Sequence, residues 1–468
     1  MKTTNLLYRI YLSVFIVAAS FAISGCKKFV DVGAPNSQLV SATVYINDAT
    51  LKSALAGLFS QMANETSTNL QFNLSFVTGN SADEMKFYIP NETYDGFITN
   101  SIYDDNATVQ GMWNSSYALI YKANLIIEGV QSSKEGLTDA MKKEAIAEAK
   151  FVRAYYYFYL TNLWGDVPLA LSTNAVVNNT LFRSPKAEVY KQIIQDLIDA
   201  RDGLQADYSY GAGERIKPNK YAAIALLARV YLYTGDYVNA QSNASTVISY
   251  TTLYNILPTA SLTGIFVKNN TEAIFQLNSA AFVGFTQEGQ TYAQGSTQVP
   301  MYQISDYLLN AFETGDKRFS SWVGKSTYQG VDYYYPSKYK QKVQNSTALA
   351  EYPTYLRLGE QYLIRAEAKV MQNDLDGAIS DINVIRNRAG LLVTSAVAKA
   401  DIILAIERER RIELFGECGH RWNDLRRTGR AGTVLGAIKP LWNENAVLYP
   451  IPRSERLNNN NLSQNKGY

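Results

Sequence analysis

Two segments of this 468-residue chain carry the same spacing of small residues around a turn, and that spacing calls for paired helices. In the first, Ile224, Leu227, Ala228 and Tyr231 fall on one helical face. Thr234-Gly235-Asp236 then breaks the helix, and Ala240, Ala244 and Val247 resume the period. In the second, Leu356, Gly359, Leu363, Ala366 and Val370 form the stripe, Asn373-Asp374 makes the turn, and Ala378, Ile382, Ile385 and Ala389 follow. Each unit keeps an alanine eight residues before its turn aspartate and another four after it: Ala228/Asp236/Ala240 and Ala366/Asp374/Ala378. Methyl side chains at those points let two helices approach closely, so stacked helical hairpins are expected.

The spacing is similar to that of tetratricopeptide-like repeats. More helix is expected at 113–130 (Trp113, Tyr117, Ile120, Tyr121, Asn124), at 139–163, at 185–203 behind Ser184-Pro185, and at 400–415. Trp164-Gly165-Asp166-Val167-Pro168 stops the second of these. Residues 250–350 read differently. Thr271 to Leu277 alternates like a strand, and around it lie Gly, Gln, Ser and Asn with scattered aromatics; residues 66–106 are similar. Long loops on a rigid frame are where binding residues usually sit.

The first 25 residues read as an export signal. Lys2 and Arg9 give a positive start, Ile10 to Ala22 is almost continuously apolar, and Ile23-Ser24-Gly25-Cys26 resembles a bacterial lipobox. There the signal is cut before a cysteine that becomes acylated. An apolar run of about 13 residues covers roughly 20 Å as a helix, short of the ~30 Å hydrocarbon core. The expected mature chain starts at Cys26 and hangs from a membrane by lipid.

Charge then narrows the partners. The chain has 44 basic and 42 acidic residues, and loss of Lys2 and Arg9 with the signal leaves the two balanced. A neutral chain has no electrostatic footprint for nucleic acid or for an anionic lipid surface. Beyond Cys26 only Cys418 remains, so no intrachain disulfide is available and stability must come from packing.

Chemical motifs are sparse. His420 is the only histidine, and with one non-acylated cysteine it cannot assemble a zinc-type site. It is expected to be structural, hydrogen-bonded beneath a helix. Gly324-Lys325-Ser326-Thr327 is no phosphate loop, because Phe319 stands where that pattern needs glycine. Ser337-Lys338-Tyr339-Lys340 fits a serine-x-x-lysine spacing without its companion motifs. Asp83-Glu84 is the most tempting carboxylate pair for glycoside hydrolysis, although a loop acid bonding backbone amides is the plainer reading. Glu409 shares the apolar stripe of Ile402, Ala405 and Ile412, where a lone carboxylate is costly, so Arg421 or Arg426 is expected to meet it. Glu407 and Arg411 are spaced to pair.

The aromatic loops suggest a ligand. Sugar rings present C–H faces that stack on tyrosine and tryptophan, while amide, carboxylate and guanidinium groups hold the hydroxyls. Tyr88, Tyr94, Trp322, Tyr333 and Tyr334, with Asn80, Asp83 and Gln290, supply that chemistry. For any single one of them packing is the favoured reading; from the set, at least two are expected to face a ligand.

Several stretches together resemble the SusD/RagB family of surface lipoproteins from Bacteroidetes. They are Glu148-Ala149-Lys150-Phe151-Val152-Arg153-Ala154-Tyr155, Leu163-Trp164-Gly165-Asp166-Val167-Pro168-Leu169, and Leu227-Ala228-Arg229-Val230-Tyr231-Leu232 before the Gly235-Asp236 turn. Tyr362-Leu363-Ile364-Arg365-Ala366-Glu367-Ala368, Arg410-Arg411-Ile412-Glu413-Leu414-Phe415-Gly416-Glu417 and Leu448-Tyr449-Pro450-Ile451-Pro452 follow in order. Asn423, where the family usually has an aromatic, and Asn459 and Lys466, in place of tail prolines, depart from the pattern.

The resemblance implies a mostly α fold: a tetratricopeptide-like helical-repeat scaffold with an irregular, loop-rich ligand-binding half. Residues 26–468 would form one such domain, with the frame at about 40–65, 107–250 and 350–430 and the binding loops at about 66–106 and 251–349. It further implies an outer-membrane, outward-facing protein without cofactor or catalysis, which binds oligosaccharides and acts as lid on a SusC-like TonB-dependent transporter. The same lid with a peptide ligand is the alternative; a protein-binding repeat adaptor and a glycoside hydrolase rank below it.

Overall fold

The computed structural model describes residues 41–63, 69–278, 285–292, 298–341 and 351–468. The export signal and Cys26 lie outside them. The chain divides into two units, residues 1–44 and Tyr45–Tyr468. Of the first, Ser41–Val44 is one helical turn.

In the second, the helices of eight residues or more are α1 (Asp48–Ala63), α2 (Leu70–Ser81), α3 (Glu92–Thr99), α4 (Ala107–Ser132), α5 (Asp139–Trp164) and α6 (Lys186–Gly203). They continue as α7 (Lys220–Thr234), α8 (Tyr237–Ile248), α9 (Leu358–Met371), α10 (Leu375–Arg388), α11 (Lys399–Glu413) and α12 (His420–Arg427). From α4 to α10 each helix packs on the next, and α8 packs on α9 across the residues that separate them in sequence. The fold is mostly helical, as expected.

The two repeat turns are built alike. Gly235 (φ 77°) and Asn373 (φ 66°) take the left-handed conformation that ends a helix. Asp236 and Asp374 then cap α8 and α10, accepting hydrogen bonds from Asn239 N and Gly377 N. The matched alanines serve two seams. Ala228 and Ala240 pack with Ile364 and Ala368, while Ala366 and Ala378 pack with Ile382, Ile402 and Ile406.

At α6 the capping differs from expectation. Pro185 has no side-chain cap to offer, and Asp166 from the preceding loop accepts from Lys186 N instead (2.8 Å). α5 has its second half buried on every side from Phe151 to Trp164, which marks a central helix rather than an amphipathic one.

Short strands decorate this frame: β1 (Met85–Phe87), β2 (Val167–Pro168), β3 (Arg183–Ser184), β4 (Ala273–Gln276), β5 (Tyr302–Ile304), β6 (Val323–Tyr328), β7 (Val331–Pro336) and β8 (Thr354–Arg357). β4 falls in the alternating segment, yet all four of its residues are buried. Antiparallel pairing with β8 and packing on α7 cover it.

Buried charges join the 249–357 insert to the helices. Glu413 accepts from Arg318 and Arg357 and pairs with Arg388. Burial raises its affinity for a proton, but the charges of Arg388, Arg357, Arg318 and Lys338 outweigh that and hold it well below the usual carboxylate range. Glu409 is met by Arg318 (2.6 Å) and Arg386 (3.5 Å), not by Arg421 or Arg426. Arg318 lies far off in sequence, and no helical spacing points to it. Glu407 does not pair with Arg411 either. It takes Arg421 and Arg430, while Arg411 turns to Asp83.

Candidate functional site

The segment after α2 sets the geometry. β1 runs antiparallel to β5 in the register Met85↔Ile304, Lys86↔Gln303, Phe87↔Tyr302, and Tyr88 N extends the pairing to Met301 O (2.8 Å). Alternation sends Phe87 inward and Tyr88 outward. Phe87 joins Phe76, Tyr94 and Tyr302 in an aromatic cluster, with ring centroids 4.2–6.1 Å apart. Tyr88 is left 54% exposed.

A second element meets it. β6 and β7 form a hairpin whose two-residue turn, Gln329-Gly330, has φ of 50° and 80°, the conformation that suits the twist of such ribbons. Tyr335 lies across Gly324 on the neighbouring strand; a Cβ there would stand 2.3 Å from the ring, so only glycine fits. Two residues along the same face, half-buried Tyr333 sets its ring 6.5 Å from that of Tyr88, with 71° between the planes. Tyr334, on the opposite face, packs on Phe319 (5.9 Å).

The remaining expected site residues separate. Gln290 is exposed on the short helix Gln287–Tyr292, which Tyr292 ties to Tyr302 (5.7 Å). Tyr94 is a half-buried member of the aromatic cluster, and burial raises its hydroxyl pKa. Trp322 corrects the expectation outright. It is 0% exposed, donates Nε1–H to Leu262 O (3.0 Å) and lies under the Lys338 ammonium at 4.7 Å. Its Gly/Ser-rich surroundings mimic a loop, but the ring is buried in a core that joins the insert to the frame, with Phe266 from the insert and Phe415 from beyond α11.

Asn80 is corrected likewise. It is buried in the last turn of α2, and its backbone oxygen accepts from Lys439 Nζ (2.7 Å). Asp83 is buried at the edge of a cavity of about 620 Å³, where both its oxygens are engaged by Arg421 and Arg411. Burial opposes its charge, but the hydrogen bonds and charge of Arg421, with Arg411, keep it below the ordinary carboxylate value. Glu84 next to it is pushed up to about 8 by burial and by the charge of Asp83. The pair so tempting for hydrolysis is thus a brace between α2, α11 and α12.

His420 is buried without the hydrogen bond expected of its ring. Nδ1 has no partner among the described residues, and burial, with Arg229 and Arg410 nearby, holds the imidazole neutral. Among the described residues no three His, Cys, Asp or Glu side chains converge on a metal position, and no helix is long and apolar enough to cross a membrane. What the exposed face offers is two tyrosine rings at a wide angle, on strands anchored by an aromatic core. An exposed aromatic face of this kind can stack on the C–H face of a sugar ring.

Residues 28–232 match a family described as starch-binding and associating with the outer membrane, and residues 227–468 match the SusD family. A SusD-like protein, P2, of Formosa agariphila is 28% identical over 423 residues, covering 78% of this chain and 82% of that one. The starch-binding protein SusD of Bacteroides thetaiotaomicron is 26% identical over 429 residues, covering 71% and 74%. Among solved structures, a SusD superfamily protein of Bacteroides vulgatus superposes with a TM-score of 0.80 at 22% identity, over 91% of this chain and all of that one (100%). A laminarin-binding SusD-like protein gives 0.74 at 23%, over 91% and 100%.

Proposed function

The chain belongs to the SusD family, and from that premise we propose that it captures oligosaccharides or polysaccharide fragments at the cell surface. It holds them for a SusC-like TonB-dependent transporter on which it sits as a lid. It is anchored in the outer membrane through acylated Cys26, faces outward, and performs no bond-breaking chemistry of its own. The observation that carries the reading is the Tyr88–Tyr333 pair, with its rings 6.5 Å apart, Tyr88 exposed and Tyr333 half-buried. Two relatives add weight, since one is named for starch and a structural neighbour for laminarin.

The test uses the full chain purified in detergent, titrated calorimetrically with soluble starch, laminarin, xylan and mannan while reducing ends are assayed in the same samples. Binding without new reducing ends, lost in Tyr88→Ala/Tyr333→Ala, is the expected result. Release of reducing ends, or binding indifferent to that double variant, overturns the reading. Cys26→Ser is expected to abolish metabolic labelling by palmitate.

A further inference from the structure

A second cleft, of about 570 Å³, opens on another part of the molecule, between α4, the 168–179 segment and the helix Arg453–Asn458. Its aromatic wall comes from one stripe of α4, where Trp113, Tyr117 and Tyr121 stand four residues apart on successive turns. Trp113 and Tyr117 pack with centroids 5.0 Å apart, and Tyr121 is left 45% exposed at the mouth.

The polar groups divide into two kinds. Some build the walls. Tyr117 donates its hydroxyl to Pro168 O (2.9 Å), and buried Asn124 donates to Ala170 O (3.0 Å) while accepting from Arg153 (2.8 Å). Others have no such duty. Asn458 is exposed at the rim, and Asn178 uses its amide N–H on Ser172 O but keeps its oxygen. Glu455 is half-buried, and among the described residues its carboxylate has no ion-pair or hydrogen-bond partner; burial alone raises its proton affinity. A half-buried carboxylate beside aromatic rings keeps hydrogen-bond acceptor capacity that no protein group takes up.

We propose that this cleft binds one neutral sugar ring, stacked on Tyr121 and Tyr117, with two hydroxyls donated to Glu455 and others held by Asn178 and Asn458. A carboxylate can accept from two vicinal hydroxyls at once, and the amides supply both donors and acceptors. No cationic side chain lines the cleft, so an acidic sugar is disfavoured by Glu455. The choice of ligand class rests on the carbohydrate reading above; the geometry does not. A chain bound at the Tyr88 face and here would be held at two places, and its dwell time lengthened accordingly.

The experiment is saturation-transfer NMR on the full chain with methyl glycosides of glucose, galactose and mannose, and with glucuronic acid. Tyr121→Ala and Glu455→Gln are expected to raise the dissociation constant for a neutral glycoside about tenfold, the size of one lost stacking or charge-assisted contact. In the Tyr88→Ala/Tyr333→Ala background the same two substitutions are expected to have the same effect, and glucuronic acid is expected to bind more weakly than the neutral glycosides unless Glu455→Gln is present. Circular dichroism and melting temperature check that each variant is folded.

If transfer is lost only in the Tyr88/Tyr333 variant, this inference falls and the capture reading stands. If it is lost only in the Tyr121 and Glu455 variants while polysaccharide titration ignores Tyr88, the reverse holds. Absence of transfer from every glycoside overturns the inference, and the polysaccharide titration decides the capture reading by itself.

Discussion

Arg229 on α7 and Glu360 on α9 form a two-pronged ion pair, Nε to Oε1 at 2.6 Å and Nη2 to Oε2 at 2.7 Å, with both side chains 1% exposed. The bond ties the first repeat unit to the second. Arg229 also donates to the Tyr159 hydroxyl and to the Tyr355 carbonyl. Because the pair is dry, removing one member strands the other. Arg229→Leu is expected to lower unfolding free energy by about 3–5 kcal/mol in urea titration, and Arg229→Leu/Glu360→Leu to recover part of that loss. A single variant as stable as the parent would show that the pair carries no strain when broken.

Asp236 and Asp374 cap their helices from the same backbone conformation, φ/ψ of −82°/76° and −83°/77°. Asp236→Ala and Asp374→Ala are therefore expected to cost similar amounts, each about 1 kcal/mol. Unfolding in urea measures both. A large inequality would mean that the two turns carry different loads.

Glu84 makes stability depend on pH. Its proton is held in the folded state up to about 8, against an ordinary value of 4.5, so the folded chain binds the extra proton throughout that window. Its stabilising contribution is lost as pH rises. The groups facing it are Asp83, which deepens the effect, and Arg421, Arg411 and Gly416 N, which oppose it. Buried Lys439, lowered to about 7, contributes in the opposite sense at higher pH, so the comparison must be with Glu84→Gln. The advantage of that variant over the parent should grow from about pH 4.5 to about pH 8 and then level off. Parallel pH profiles of the two melting temperatures would refute the assignment.

Trp322 and Tyr88 should separate cleanly. Trp322→Ala empties the core that joins insert and frame and is expected to destabilise by about 3–5 kcal/mol. Tyr88→Ala exposes little and is expected to leave the melting temperature within a degree or two, while weakening polysaccharide binding about tenfold. Calorimetry of unfolding and of binding on the same two proteins distinguishes the roles.

The helical frame was legible because its signals are local. Alanines at fixed distances from Asp236 and Asp374, and the glycine stop at Gly165, act within a turn or two of themselves. The site was less so, since exposure is decided by distant partners. Trp322 and Tyr333 sit in similar Gly-, Ser- and Tyr-containing sequence, yet only the packing of Phe266 and Phe415 tells them apart. The nearer partner of Glu409, Arg318 at 2.6 Å, lay 91 residues away. Tyr117, Tyr121 and Asn124 were visible as a helical stripe, but nothing near them in sequence announces Glu455, which completes the cleft.

Since α8 and α9 lie side by side, the chain leaves the frame and returns to it at one place, and everything between is a loop closed at its base. Lengthening such a loop is cheap, at about 0.6 kcal/mol per doubling. Besides the β1–β5 pairing and the packing around Trp322, what constrains it is a short set of buried charges, Glu272, Arg318 and Lys338, that plug into Arg388, Glu409, Glu413 and Glu417. The insert is therefore joined to the helices by an electrostatic plug at its base. Rewriting the β6–β7 hairpin while leaving those prongs in place is therefore expected to keep the helical frame folded.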